Sequence, residues 1–170
     1  MMYFLDFDRT LFDTNAFIAY FGARIGETDL TEPKAKVLLS DLLVSKSLAF
    51  TPGELAPFVY PDVPEFLRAL GNEAVIITHG DPIIQKMKIE NALTGIPRVS
   101  AIYVGQESKG PHLAARLAGS GTHALFVDDT PLQLESVGAY CPAVTLYEMR
   151  RDGSVGDGRW PVVRSLLDLP

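Results

Sequence analysis

The stretch Phe4-Leu5-Asp6-Phe7-Asp8-Arg9-Thr10-Leu11-Phe12-Asp13 decides the fold. Its first residues belong to an apolar run that predicts a buried β-strand from Tyr3 to Phe7. The strand ends in two carboxylates, Asp6 and Asp8, one residue apart. Removing a lone carboxylate from water is very costly, so we expect a metal ion, a Lys or Arg, or both beside this pair.

Length and composition are typical of one globular domain. The chain has 170 residues, of which 47% are hydrophobic and 21% charged, which suffices for one sizeable core. The net charge of −6 argues against nucleic-acid binding, because nucleic-acid-binding domains are usually basic. The single cysteine, Cys141, excludes an intramolecular disulfide and suits a reducing compartment. With neither a signal-peptide pattern nor an apolar run long enough for a membrane span, we expect a cytoplasmic protein without membrane contact.

Helix and strand patterns alternate along most of the chain. Strands are predicted at 74–78, 99–104, 123–127 and 143–147, and helices at 62–70, 81–93, 111–118, 130–137 and 162–167. Gly71 stands just past the end of the first of these helices. The strands are apolar throughout, which is typical of a parallel sheet covered by helices on both faces. The predicted fold class is therefore α/β, with a doubly wound parallel sheet.

Residues 13–60 interrupt this alternation with helical patterns alone. Apolar residues recur at helical spacing in 16–24 and 31–48, and Asp13 could cap the first of these helices. Thr51-Pro52-Gly53-Glu54 matches a capping box that would begin a third helix. We therefore expect a helical insert after the first strand.

Polar residues collect at the predicted carboxyl ends of the strands, where open α/β sheets bind ligands. Lys109 follows the third strand and opens a helix, where a cation opposes the helix dipole. A solvated Lys109 could tolerate this position, or its ammonium faces the acids and a shared anionic ligand. The other residues at these strand ends are Asp6, Asp8, Thr78, Asp128 and Asp129.

These residue types suit phosphoryl transfer with a divalent cation. Oxygen-rich sites favour Mg²⁺, and a carboxylate can attack phosphorus once a cation neutralises both partners. Asp6 and Asp128 would hold the cation, with Asp129 binding it directly or through water. Thr78 and Lys109 would hold the remaining phosphoryl oxygens.

Asp8, Asp81 and His79 have both chemical and structural interpretations. Asp8 shares a face with Asp6 if the strand stays extended, and it could protonate a leaving alkoxide and then deprotonate the attacking water. Asp8 could instead cap a turn. Asp81 precedes a proline and is an ordinary helix cap, whereas His79 lies where it could contact substrate.

Four segments together resemble a known family. Asp6-Phe7-Asp8-Arg9-Thr10, Thr78, Lys109 and Val127-Asp128-Asp129 resemble, in order, the four motifs of the haloacid dehalogenase-like (HAD) hydrolase superfamily. The resemblance spans about Tyr3 to Tyr147. It implies a Rossmann-like core over 1–12 and 61–170 and a small C1-type helical cap over 13–60.

The resemblance also implies a role for each motif residue. Asp6 would be the nucleophile and Asp8 the general acid and base. Asp6, the main-chain carbonyl of Asp8, and Asp128 would bind Mg²⁺, and Thr78 and Lys109 would bind the phosphoryl group. Family members that cleave carbon–halogen bonds usually lack the second aspartate, so Asp8 favours phosphate substrates.

Two features depart from the family pattern or lie outside it. Arg9 stands where the family most often has Gly, and its side chain could reach substrate, the insert or solvent. Arg150, Arg151 and the glycine-rich stretch to Trp160 are interpreted as a solvated turn, with a loop folded toward the site as the alternative.

The leading hypothesis is a Mg²⁺-dependent phosphatase that acts on a small phosphorylated metabolite or nucleotide through an aspartyl-phosphate. Two alternatives stay open. One is a phosphomutase or phosphotransferase with the same intermediate, and the other is a non-catalytic binding domain that keeps the fold.

Overall fold

The computed structural model describes residues 1–70, 73–96 and 99–170, so the predicted helix end at Gly71 lies outside the described residues. In chain order the elements are β1 (Met2–Leu5), α1 (Thr14–Ile25), α2 (Glu32–Val44), α3 (Val63–Leu70), β2 (Ala74–Thr78), α4 (Pro82–Ala92), β3 (Ser100–Tyr103), α5 (Lys109–Leu117), β4 (Ala124–Asp128), α6 (Pro131–Tyr140), β5 (Thr145–Met149) and β6 (Val162–Val163). Single 3₁₀ turns cover Ala56–Phe58 and Leu166–Asp168. Over the described ranges, no helix is both long enough and apolar enough to span a membrane.

The strands form one parallel sheet in the order β3-β2-β1-β4-β5-β6. The chain builds outward from β1 to β3, and then returns to the other side of β1 and builds outward to β6. The prediction of a doubly wound, Rossmann-like α/β sheet is confirmed. The strand order reverses between β1 and β4, which is where ligands bind in sheets of this kind.

Alternating side chains of the central strands enter two separate apolar clusters. On one face, Phe4 and Phe126 pack with Leu113 of α5 and Leu134 of α6. All residues of β2 and β4 are buried, as expected for strands covered on both faces. The second face is covered by α3, α4 and the segment between β1 and α3, and its cluster includes Leu5, Ile76, Val127, Leu67 and Ile84.

The predicted helical insert packs directly on this second cluster. Phe17 of α1 and Leu39 of α2 are both 3% exposed and belong to the same cluster as the sheet residues. Asp13 is the N-cap of α1, as predicted, because its Oδ1 accepts a hydrogen bond from the Ala16 N–H at 2.9 Å. The insert therefore shares the apolar core on this face of the sheet, and α2 packs against α4.

The prediction of a helix over 162–167 was wrong. Val162 and Val163 instead form β6, which pairs with Glu148 and Met149 of β5. The β-branched pair favours an extended backbone, and the edge of β5 supplies the partner. Ser165 then caps a single 3₁₀ turn.

The prediction of a helix beginning at Thr51 was also wrong, although part of the predicted capping box forms. The Glu54 Oε2 accepts hydrogen bonds from the Thr51 N–H at 2.9 Å and the Thr51 hydroxyl at 3.0 Å. Gly53 has a φ of 83°, a left-handed conformation that turns the chain. Only the 3₁₀ turn at Ala56–Phe58 follows.

Candidate active site

Three carboxylates meet beyond the carboxyl ends of β1 and β4, where the strand order reverses. Asp6 follows β1, and its N–H donates to the Val127 carbonyl at 2.9 Å, which ties it to β4. Asp128 ends β4 and Asp129 follows it. One oxygen of each carboxylate belongs to a group whose members all lie within 4.8 Å of one another. Such a set of oxygens suits a hard divalent cation such as Mg²⁺.

Lys109 lies inside this group of acids. Its Nζ contacts the Asp6 carboxylate and is 2.6 Å from the Asp128 Oδ2, and its side chain is 1% exposed. The Lys109 main-chain N–H donates to the Gln133 side chain at 2.9 Å, which fixes the start of α5. The interpretation of Lys109 as a solvated helix residue was therefore wrong, and its ammonium faces the acids.

The three acids favour a protonated or cation-bound state. Burial, with the charge of Asp128, raises the pKa of Asp6 to about 7 although Lys109 opposes the shift. Burial and the charge of Asp6 raise the pKa of Asp129 to about 6. Burial also raises the pKa of Asp128. One ammonium does not neutralise three ionised carboxylates. The remaining negative charge would favour the binding of a further cation.

Thr78 ends β2 beside this group, and its side chain is 1% exposed. Among the described residues, its buried Oγ1 has no hydrogen-bond partner. Buried polar atoms are usually paired, so the unpaired hydroxyl at the ligand-binding edge of the sheet is available to donate to a ligand. The free hydroxyl, the acids and the ammonium together fit a phosphoryl group with a divalent cation.

The Asp8 carboxylate takes part in a polar cluster with Thr14, Gln85 and Lys88. It accepts hydrogen bonds from the Thr14 hydroxyl at 2.6 Å and the Gln85 amide at 2.7 Å, and it contacts the Lys88 ammonium. Burial alone would raise the pKa of Asp8, but Lys88 and the two other donors outweigh it and lower the pKa to about 2. The group of candidate metal-binding carboxylates does not include Asp8. Its main-chain carbonyl as a Mg²⁺ ligand stays a prediction.

Sequence reasoning missed Lys88 and Gln85, both from α4. Lys88 is 4% exposed and lies on the same helix face as Ile84 and Ala92, which are buried. Lys88 lies four residues after Ile84 and four residues before Ala92, so all three share one helix face. A lysine on an apolar helix face indicates a buried anionic partner, and the sequence alone shows this spacing.

Similar solved structures support the fold. No family model matches the chain, and no curated protein matches it significantly. A haloacid dehalogenase-like hydrolase from Burkholderia xenovorans LB400 aligns with a TM-score of 0.66 and 21% identity, over 99% of this chain and 94% of that one. The chain has the haloacid dehalogenase-like fold.

Two further solved structures align over most of the chain. A haloacid dehalogenase-like family hydrolase from Xanthomonas campestris aligns with a TM-score of 0.54 and 15% identity, over 97% of this chain and 90% of that one. The UTR4 protein of Saccharomyces cerevisiae aligns with a TM-score of 0.52 and 15% identity, over 96% of this chain and 97% of that one. At such identities the similarity establishes the fold, and the chemistry must be argued from the site.

Arg9 occupies the position where the HAD-like motif most often has Gly, and its backbone shows why. Its φ is 59°, in the left-handed region that glycine adopts without strain. Its guanidinium reaches the insert, where Nη2 donates to the Glu32 carboxylate at the start of α2. The side chain could have reached substrate, the insert or solvent, and in the structure it contacts the insert.

His79 directly follows Thr78 at the carboxyl end of β2. Its carbonyl accepts a hydrogen bond from the Gln85 amide at 3.1 Å. Its side chain is partly exposed and lines a cleft of about 420 Å³ together with Lys36 and Ser40 of α2 and Gln106. Substrate contact by His79 stays a prediction. Asp81 at the edge of the same cleft caps α4, as predicted, through the Ile83 N–H at 2.8 Å.

Arg150 and Arg151 do not lie in a solvated turn, so that interpretation was wrong for both. The Arg150 Nη1 donates to the Asp129 main-chain carbonyl at 2.8 Å, and its Nη2 contacts the fully buried Glu148. The Arg151 guanidinium contacts both carboxylate oxygens of Asp62 at 2.9 Å. The glycine-rich stretch that follows them is largely exposed.

Proposed function

We propose that this protein is a Mg²⁺-dependent phosphohydrolase that cleaves a phosphomonoester through an aspartyl-phosphate on Asp6. The observation that carries the proposal is the convergence of three acids and one buried ammonium beside an unpaired threonine hydroxyl. A non-catalytic domain would have no need to keep Lys109 buried between two carboxylates, because such an arrangement is costly to desolvate. The HAD-like fold is consistent with a hydrolase.

Asp6, Asp128 and Asp129 would hold the cation. When bound, Mg²⁺ supplies the positive charge that lets an anionic carboxylate approach an anionic phosphate. Thr78 donates its hydroxyl to a phosphoryl oxygen, and Lys109 contributes its ammonium to another. An Asp6 oxygen attacks phosphorus, and the bond between phosphorus and the ester oxygen breaks.

Asp8 completes the proton balance. In the ionised form that Lys88 favours, Asp8 takes a proton from the water that attacks the aspartyl-phosphate. The products of this step are inorganic phosphate and free Asp6. This proton replaces the one that Asp8 gave to the leaving alkoxide when the aspartyl-phosphate formed, so the proton count closes within each turnover. Thr14 and Gln85 keep the carboxylate oriented through both steps.

The substrate class that we propose is a small phosphorylated metabolite or nucleotide, and the proposed compartment is the cytoplasm. The net charge of −6 argues against a nucleic-acid substrate, and the single buried cysteine fits a reducing compartment. If an alcohol accepted the phosphoryl group in place of water, the protein would be a transferase. Product analysis separates the two reactions, because hydrolysis gives inorganic phosphate and transfer gives a new phosphate ester.

The test is phosphate release from an aryl phosphate and from a broad panel of phosphomonoesters, with Mg²⁺ and with EDTA. Wild type should release inorganic phosphate only with Mg²⁺, and Asp6→Asn should lower kcat by on the order of a thousandfold or more. Glu90→Gln is the matched control, because Glu90 is an exposed acid of α4 with 61% side-chain exposure. Absence of Mg²⁺-dependent release, or an Asp6→Asn variant with undiminished activity, contradicts the proposal.

A further inference from the structure

A small cavity opens beside the acidic cluster, on the side away from His79. Its volume is about 210 Å³, and Asp129 of the cluster forms part of its wall. Arg9, Asn15, Tyr60 and Arg150 also line the cavity. The cavity is smaller than the roughly 300 Å³ at which ordinary small-molecule sites begin, so it suits a group of only a few carbon atoms.

The charge of this wall is unusual for a protein with a net charge of −6. Three arginines and two aspartates line the cavity. One of the aspartates, Asp129, belongs to the proposed cation site, and the other, Asp152, is exposed and accepts hydrogen bonds from Ser154. The formal charge of the lining is therefore +1, whereas that of the whole chain is −6.

Two of the three arginines are already committed to protein groups. Arg150 binds the Asp129 carbonyl and Glu148, and Arg151 binds Asp62. Arg9 is different. Within the described part of the chain its guanidinium makes one hydrogen bond, to Glu32, and its side chain is 40% exposed.

Arg9 also keeps a conformation that its residue type disfavours. At a φ of 59°, a glycine would be free of the steric cost that Arg9 carries. Strained positions of this kind concentrate at ligand-binding sites, where the side chain contributes something that compensates. The ion pair with Glu32 is a weak compensation, since Glu32 also pairs with Lys36 at 2.8 Å and both partners are partly exposed.

We propose that Arg9 is a specificity-determining residue that binds an oxyanion on the leaving group of the substrate. The substrate class is then a short phosphomonoester whose alcohol carries a carboxylate or a second phosphate. A guanidinium suits this task because it binds either oxyanion in a two-pronged geometry and stays charged throughout the physiological pH range. Asn15 and Tyr60 would contact the polar groups between the two anions.

This inference rests on the proposed phosphatase activity and narrows its substrate. Three substrates of equal chain length test it: propyl phosphate, 3-phosphonooxypropanoate and propane-1,3-diyl bisphosphate. Wild type should prefer one or both anionic substrates over propyl phosphate by about tenfold or more in kcat/KM, since a charge-assisted hydrogen bond contributes about that much. The preferred substrate identifies the carboxylate or the phosphate as the natural group.

Arg9→Gly should remove this preference, so that the ratio of kcat/KM values falls close to one. Glycine fits the left-handed φ, so the variant should fold at least as well as wild type, which thermal unfolding checks. Arg9→Lys should keep part of the preference. Lys34→Met is the matched control: Lys34 is a cation of the same insert, 54% exposed and paired with Glu27, and its loss should leave the ratio unchanged.

Two results overturn the inference while leaving the phosphatase proposal intact. They are a wild-type ratio near one, and an Arg9→Gly variant that keeps the wild-type preference. If no phosphate is released from any of the three substrates or from a broad panel, the proposed function fails and the inference fails with it.

Discussion

The Lys109 Nζ lies 2.6 Å from the Asp128 Oδ2 in the interior of the protein, where both side chains are 1% exposed. The same ammonium contacts Asp6, and the two carboxylates raise the pKa of Lys109 although burial acts in the opposite direction. Lys109 thus partly offsets the negative charge of the three-acid group, and the proposed Mg²⁺ would supply further positive charge.

Replacing Lys109 by Met should destabilise the protein strongly. Two buried carboxylates would lose their cation, and the expected loss in the free energy of unfolding is about 3–5 kcal/mol in EDTA. Mg²⁺ should recover part of this loss in the variant. Chemical denaturation with and without Mg²⁺ measures both effects. Lys34→Met, which removes an exposed cation, should change stability by less than about 1 kcal/mol. An equally small effect of Lys109→Met would contradict the placement of its ammonium.

Lys88 and Asp8 should behave as a coupled pair. Lys88→Met leaves Asp8 without its cation, and Asp8→Asn leaves Lys88 buried without its anion. Each single variant should lose about 2–4 kcal/mol, and the double variant should lose clearly less than the sum. A double-mutant cycle by urea denaturation measures this coupling. Strict additivity of the two losses would show that the pair does not interact.

The sequence was sufficient for the parallel sheet and for the positions of the motif residues. The predicted strands are mostly apolar, and four of them have a polar residue at or shortly after the carboxyl end. Asp6, Thr78, Lys109 and Asp128 could therefore be placed at one edge of the sheet from the sequence. The connection order that brings β1 beside β4 follows from the doubly wound topology.

Contacts between residues distant in sequence were harder to predict. Arg150 follows β5 by one residue, and its polar neighbours suggested a solvated loop. Its actual partners, Glu148 and the Asp129 carbonyl, become neighbours only because β4 and β5 pair side by side. Val162 and Val163 were misassigned for the same reason, since strand formation there depends on the exposed edge of β5. Propensity within a segment does not report such tertiary partners.

Arg150 should position Asp129 for cation binding. Its guanidinium connects the buried Glu148 to the Asp129 main chain. Arg150→Met should raise the Mg²⁺ concentration needed for half-maximal binding by about tenfold, since loss of a group that orients a metal ligand typically has this size of effect. Isothermal titration with Mg²⁺ measures this without turnover. Arg159→Met, which removes a cation with 48% side-chain exposure, is the control and should bind Mg²⁺ like wild type. Unchanged affinity in Arg150→Met would contradict the positioning role.

The raised pKa of Asp6 predicts how stability depends on pH without a divalent cation. Because burial raises this pKa to about 7, the folded state holds the Asp6 proton more tightly than the unfolded state does. The free energy of unfolding in EDTA should therefore fall as pH rises from about 4 to about 7, and should change little above that range.

Asp6→Asn should reduce this slope, with a contribution of on the order of 4 kcal/mol at most. The variant should be more stable than wild type in EDTA at about pH 8 and should lose this advantage toward about pH 4. Asp8 acts in a separate window, because its lowered pKa of about 2 gives stability that is lost only as pH falls below about 4. Urea denaturation from about pH 2 to about pH 8 measures both effects. A slope that is identical in wild type and Asp6→Asn would show that Asp6 is not the group responsible.

The most direct test of the central claim is to trap the covalent intermediate. Wild type is mixed with a radiolabelled phosphomonoester and Mg²⁺, quenched in acid within a single turnover, reduced with borohydride and digested for peptide mass analysis. The account predicts phosphoryl label on the protein that is lost on reduction, with the modified aspartate at Asp6, and no label on Asp6→Asn. Mg²⁺-dependent release of phosphate without any label on wild type, or label on a residue other than Asp6, would contradict it.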